Sequence, residues 1–89
     1  MCLGVPGRVI KVREDGIAEV DFGGGFVYEV DASTSPVPVK PGDYVIVHAG
    51  IVIARLDPEE GRRYIELYKQ LMDEMLKMVE GGEVEAGLG

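Results

Sequence analysis

The sequence predicts a mainly β fold, a small five-stranded barrel followed by one C-terminal amphipathic α-helix. Glycine and proline divide the first two thirds of the chain into short runs rich in β-branched residues, which is typical of strands joined by tight turns. After Asp57-Pro58 the spacing of apolar residues changes to the three and four of a helix. A flat sheet would leave long exposed edges, so we expect the strands to close, or partly close, into a barrel.

Five segments have the composition of strands. The β-branched first segment ends at the turn Glu14-Asp15-Gly16, and the second places Ala18, Val20 and Phe22 on one face. Three glycines at 23–25 permit a tight reversal into the third segment, because glycine reaches positive φ at little steric cost. The predicted strands are 8–13, 17–22, 26–30, 44–48 and 51–56.

The predicted helix has both a start signal and an apolar stripe. Asp57 is a suitable N-cap, Pro58 suits the first helical position, and Glu60 stands where a capping box has its acid. We expect the first half of this helix to cover a mouth of the barrel. Its methionine-rich end (Met72, Met75 and Met78) is expected to be core, with an adaptable partner surface as the alternative. The apolar stripe comprises Tyr64, Ile65, Tyr68, Leu71, Met72, Met75, Leu76 and Val79.

The 89 residues are enough for one domain with a modest core. We expect that single domain to occupy residues 1–80. Within it, 1–6 form an N-terminal arm that carries Cys2, 7–56 form the barrel and 57–80 form the helix. Residues 81–89 are predicted to be a flexible tail.

The charge balance restricts the classes of partner. Nine basic against 16 acidic residues give a net charge of −7, which disfavours nucleic acid and anionic lipid. No apolar run is long enough to span a bilayer, so we expect a cytoplasmic protein whose partner is a protein or a small ligand. A barrel that binds RNA or the ribosome is the alternative that the five strands leave open. The low aromatic content, 7% with no tryptophan, counts against that alternative.

Cys2 and His48 are the residues most suited to chemistry. A single cysteine cannot form an internal disulfide or a self-contained zinc site, but its thiolate is a good soft-metal ligand. His48, the only histidine, is expected to be a hydrogen-bonded residue at a strand end or a partner of the thiol. A Cys/His thiol enzyme is therefore a further alternative. No oxyanion-hole, phosphate-loop or paired-carboxylate motif accompanies the two residues.

Two blocks of the sequence resemble a known family. The segment MCLGVPGRV at residues 1–9 is similar to the N-terminal signature of the HypC/HupF family, small chaperones of nickel–iron hydrogenase maturation. The block PGDYVIVHAG at 41–50, continued by IVIARLD at 51–57, resembles the family's other characteristic segment. Ile51-Val52 stands where many members have Phe-Ala, a conservative difference. The resemblance extends over residues 1–80.

The resemblance implies an OB-like barrel with a C-terminal helix and a chaperone rather than an enzyme. It implies binding first to HypD, the iron–sulfur protein on which the Fe(CN)2CO unit is assembled, and then to the immature hydrogenase large subunit. The iron unit would be held transiently, with no permanently bound cofactor, and the free protein would be monomeric. Cys2 would bind the iron unit and the partner, with His48 as an auxiliary metal and partner residue. The remaining partner-binding residues implied by the match are Leu3, Gly4, Val5 and Pro6.

Overall fold

The computed structural model describes residues 4–80, with side chains described as far as residue 78. All five predicted strands and the helix are present. The elements are β1 (Val5–Val12), β2 (Ile17–Asp21), β3 (Val27–Asp31), β4 (Tyr44–His48), β5 (Ile51–Leu56) and α1 (Pro58–Glu80). The predicted tail at 81–89 and the first three residues of the predicted arm lie outside the described residues.

The five strands form a closed barrel in the order β1-β2-β3-β5-β4, which confirms the prediction of an OB-like barrel. Neighbouring strands are antiparallel except for β3 and β5, which are parallel and share the single residue pair Asp31–Ile51. The Asp31 N–H donates to the Gly50 carbonyl at 2.8 Å at this junction. The barrel is therefore closed through a very short contact.

Small β-branched residues fill the barrel interior. A Cβ on Gly7 would overlap the Val20 side chain, so the backbone of β1 approaches β2 too closely for any larger residue. Gly7 pairs with the buried Val45, whereas the next pair along, Pro6 and Ile46, faces outward. The buried core consists of Val9, Ala18, Val20, Val30, Val39, Val45, Val47 and Val52.

The start of β1 differs from the prediction. Val5 and Pro6, which were assigned to the N-terminal arm, are paired in the sheet with Val47 and Ile46 of β4. Pro6 has β4 on one side and no paired residue of β2 on the other, the edge position at which a proline costs no ladder hydrogen bond. The sequence Gly-Val-Pro-Gly has the composition of a chain breaker, but pairing with a distant strand overrides that local preference.

Helix α1 packs on the outer surface of the barrel, so the prediction that it covers a barrel mouth is wrong. Its first turns contact β1, β4 and β5. Gly61 is buried at this contact, and a Cβ there would overlap the Cβ and Cγ atoms of Tyr44. The outward-facing side chains of β1 and β4, such as Pro6 and Ile46, supply an apolar surface for the helix. The missing side chain of Gly61 is what allows the helix to approach it.

The methionine-rich end of α1 is exposed, so the expectation that it belongs to the core is also wrong. Met72, Met75 and Met78 are 39%, 52% and 56% exposed. The five residues of β4 span about 17 Å, whereas the 23 residues of α1 span about 34 Å, so the helix is longer than the surface beneath it. The radius of gyration of 15.2 Å exceeds the roughly 12 Å of a compact chain of this length, in agreement with a projecting helix.

The predicted N-cap of α1 is confirmed. The amide N–H of Glu60 donates to Asp57 Oδ1 at 2.9 Å, and the amide of Gly61 donates to the Asp57 carbonyl at 2.8 Å. The hydrogen bond from Glu60 is the main reason that the pKa of the Asp57 carboxyl lies below its ordinary value of 3.8. The cap therefore binds the helix end most strongly when it is ionised.

Asp57→Ala is expected to lower the thermal unfolding midpoint at neutral pH because the Glu60 amide loses its acceptor. The pKa of Asp57 is lowered on folding, so its stabilising effect is complete above pH 3.8 and is lost as the pH falls through the folded-state pKa. The thermal unfolding midpoints of the original chain and the Asp57→Ala variant, measured by circular dichroism, should converge in that acidic range. Glu66→Ala, which removes an exposed charge in the middle of α1, should give no such convergence. A difference that stays constant through acid would contradict this role of Asp57.

Candidate functional site

The β1–β4 ladder brings the predicted site residues Gly4 and His48 together. Val5 pairs with Val47, and continuing this antiparallel register by one residue places Gly4 opposite His48. A Cβ on Gly4 would lie 2.7 Å from the Val47 carbonyl oxygen, and Gly4 has a φ of +145°. Glycine is therefore required here, because its backbone passes against β4 in a conformation that other residues rarely adopt.

The other predicted site residues have different environments. Val5 is half-buried and Pro6 is buried beneath α1. Cys2 and Leu3, which carry the central predictions, lie outside the described residues. The structure thus brings together Gly4, Val5, Pro6 and His48 at one end of the β1–β4 pair.

His48 is an exposed residue at the end of β4, paired with Ile51 across the hairpin. Its side chain has no hydrogen-bond partner among the described residues, so the prediction of a hydrogen-bonded strand-end histidine is not supported by residues 4–80. It shares the outward face of β4 with Ile46. An imidazole in this position can donate to or accept from a group that approaches the start of β1.

The turn after His48 contains local backbone strain. Ala49 and Gly50 have φ angles of 52° and 78°, the two consecutive left-handed residues of a type I′ hairpin turn. Ala49 is the only non-glycine residue with positive φ among those described, and its Cβ makes that conformation unfavourable. This turn sets the register of the β4–β5 hairpin, in which His48 pairs with Ile51.

Ala49→Gly is expected to stabilise the protein by about 0.5–1 kcal/mol, because the steric cost of the left-handed conformation exceeds the added chain entropy of glycine. Urea unfolding followed by circular dichroism measures the change. Ala32→Gly is the matched control. Ala32 has no positive φ, so the same substitution there should lower the stability of the protein. A loss of stability in the Ala49 variant would show that this turn is not strained.

An apolar groove of about 350 Å3 lies between α1 and the outer face of the barrel. Gly4 forms part of its wall at the end near His48, and Leu71 contributes from the middle of the helix. Leu67 and Leu71, both on the helix wall, are 63% and 53% exposed. Sequence reasoning missed this groove, because periodicity identified an apolar helix face without showing that it stands beside an apolar outer sheet face. The walls include Pro6, Ile46, Leu56, Tyr64, Tyr68 and Leu71.

Within residues 4–80, no three His, Cys, Asp or Glu side chains are grouped so that they could hold a metal ion. In that same part of the chain, no helix has the length and hydropathy needed to cross a membrane.

The fold and the site define a small OB-like barrel protein with an external C-terminal helix and an apolar groove beside the start of its first strand. Residues 1–68 match the HupF/HypC family model, and the chain belongs to the HupF/HypC family. This confirms the resemblance seen in the sequence.

Curated relatives extend over most of the chain. One is a hydrogenase maturation factor HypC of Cupriavidus necator, 37% identical over 71 residues, which cover 80% of this chain and 77% of the relative. Another, from Rhizobium leguminosarum bv. viciae, is 36% identical over 70 residues, 79% of this chain and 91% of the relative. A third, from Helicobacter hepaticus, is 32% identical over 75 residues, 84% of this chain and 86% of the relative. The relatives from Rhizobium leguminosarum bv. viciae and Helicobacter hepaticus are also named hydrogenase maturation factor HypC.

Proposed function

We propose that this protein is a cytoplasmic hydrogenase maturation chaperone that carries the Fe(CN)2CO unit and passes it between two protein partners without catalysing a reaction. Family membership and the names of the curated relatives support the maturation role. The observation that carries the proposal is the start of β1, where Val5 pairs with Val47 next to an exposed His48 and Gly4 lines an apolar groove.

Cys2 is the residue that would hold the iron unit. Iron that already carries two cyanides and one carbon monoxide has few open positions, so a carrier needs one or two soft donors rather than a complete cage. Cys2 is the only thiol in the chain. A single thiolate, with a second ligand from the partner, binds the iron and still allows its release.

His48 would act on the same thiolate as an auxiliary group. Covalent geometry limits the Cα–Cα distance between residues 2 and 4 to about 7 Å. The β1–β4 register, extended by one residue beyond the Val5–Val47 pair, sets Gly4 opposite His48, and we propose that the imidazole meets the thiolate of Cys2 there. A hydrogen bond from the imidazole would orient the sulfur and stabilise its ionised form.

The partners would be HypD and then the precursor of the hydrogenase large subunit. Leu3, Gly4 and Val5 would contact them, and Pro6, which is buried beneath α1, would support the adjacent groove that extends the surface along the helix. Burying such apolar area contributes about 25 cal/mol per Å2 to binding. Apolar contacts of this kind do not require a basic partner, whereas charged contacts to a protein of net charge −7 would favour one.

The structure adds an argument against the RNA-binding alternative. On the outer face of β2 and β3, carboxylates outnumber the two neighbouring cations, Lys11 and Arg13. The carboxylates are those of Glu19, Asp21, Glu29 and Asp31. A surface of this sign repels phosphate. The thiol-enzyme alternative stays a prediction. Its test is the detection of a covalent adduct of Cys2 that forms and breaks down during turnover of a small substrate.

Co-expression with HypD, followed by infrared spectroscopy of the purified complex, tests the proposal. We expect a stable complex with cyanide and carbonyl stretches, and transfer of these bands when the large-subunit precursor is added. HypD purified without this chain is the control for bands that belong to HypD alone. Failure to form a complex with either partner would overturn the proposal.

A further inference from the structure

The edge of β3 that faces β5 is open over most of its length. β3 pairs with β2 along all five of its residues, but it meets β5 only at Asp31. The Phe22 N–H donates to the Phe26 carbonyl at 2.8 Å. Because hydrogen-bonded and non-hydrogen-bonded pairs alternate along an antiparallel ladder, this bond shows which residues of β3 are bonded to β2. By that alternation Tyr28 and Val30 form the hydrogen bonds to β2.

Val27 and Glu29 therefore direct their N–H and C=O groups away from β2. Their side chains are exposed, and no backbone hydrogen bond joins either residue to another described residue on that side. Up to four main-chain hydrogen-bonding groups thus face outward from two alternate residues. This is the arrangement to which an extended peptide adds as a further strand.

The two faces beside this edge differ in chemistry. The outward face carries a net negative charge. Glu19 pairs with Glu29, and Asp21 and Asp31 lie on the same face, whereas Lys11 pairs with Glu19 on the side of β2 away from the open edge. The Glu29 carboxylate contacts Arg13 at 2.7 Å, and a hydrogen bond from Ser33 holds the pKa of Asp31 below its ordinary value. The other face, at the barrel mouth, is aromatic. Phe26 and Tyr28 are 62% and 58% exposed there, and the Tyr28 ring lies 6.1 Å from that of Phe22.

We propose that the open edge of β3 binds an extended segment of a partner protein in which basic and apolar residues alternate. Successive side chains of an added strand point to opposite faces, so one set would meet the carboxylates and the other the aromatic rings. Charge complementarity also decides against a second copy of this chain. Pairing two β3 edges would bring Glu29 and Asp31 of two molecules together, each molecule with a net charge of −7.

Hydrogen exchange of the 89-residue protein by NMR, with a synthetic peptide of alternating Lys and Val, tests this site. We expect the amides of Val27 and Glu29 to exchange at least about ten-fold more slowly when the peptide is bound, because they gain acceptors. The amides of Tyr28 and Val30, already bonded to β2, should be unaffected. A peptide N-methylated at alternate residues cannot complete the ladder and should lose most of the binding.

Two variants and a matched control complete the test. Glu29→Lys should weaken binding of the peptide about ten-fold, whereas Asp73→Lys, the same charge change on the far half of α1, should have little effect. Cys2→Ala should bind the peptide normally, which separates this site from the proposed iron carriage. Contacts confined to the groove, or protection that rises with protein concentration in the absence of peptide, would overturn the proposal.

Discussion

Replacing Cys2 by alanine is expected to remove the cyanide and carbonyl infrared bands from this protein almost completely. The chain has no second cysteine that could take over as a thiolate ligand. The four methionine sulfurs are uncharged thioethers, which are much weaker donors to iron than a thiolate. The loss should therefore be far larger than that caused by any other single substitution near the start of β1.

The measurement is infrared spectroscopy of the purified variant after co-expression with HypD. Thermal unfolding of the variant should match that of the original chain, because the core residues all lie between Val9 and Val52. His48→Ala is the graded comparison, since it removes an orienting group and leaves the sulfur in place. It should reduce the bands without abolishing them. Undiminished bands in the Cys2 variant would assign the iron unit to a different ligand.

Gly61→Val is expected to displace α1 from the barrel and destroy the apolar groove. A Cβ at this position overlaps the root of the Tyr44 side chain, which cannot swing aside as the end of a flexible side chain can. Overpacking of this kind costs about 2–3 kcal/mol, and the helix can avoid the cost only by moving outward. The three atoms nearest to that Cβ all belong to Tyr44, which is not one of the buried core residues, so the barrel itself should stay folded.

Chemical denaturation and NMR of the groove residues measure this effect. Gln70→Val is the matched control, since it places the same β-branched side chain at an exposed position of α1. It should cost only the modest helix propensity of valine and leave the resonances of Ile46 and Leu56 unchanged. If both variants behaved alike, close approach at Gly61 would not be what docks the helix. Capture of HypD should fall only in the Gly61 variant.

Much of the secondary structure could be predicted, because it depends on local patterns. Short β-branched runs between glycine turns marked the strands, and the Asp57 cap with its change of period marked the helix. The start of β1 escaped prediction, since Pro6 is extended through pairing with Ile46, forty residues away. Local composition holds no information on such a partner.

The candidate site could be predicted only in part, for a related reason. His48 and the segment before β1 were recognised from their residue types and the family resemblance, but their proximity is a consequence of the β1–β4 register. The spacing of Met72, Met75 and Met78 showed that they share a face of α1. It did not show that the barrel ends before that face does.

A helix that is anchored near its first turn can pivot about that anchor. Helix α1 is anchored where Gly61 meets Tyr44, and its outer turns extend freely from the barrel. Turning a helix about 34 Å long by roughly 10° sweeps its tip through about 6 Å. A minor adjustment at the anchor would thus let the same methionines reach differently shaped partner surfaces while the barrel stays unchanged.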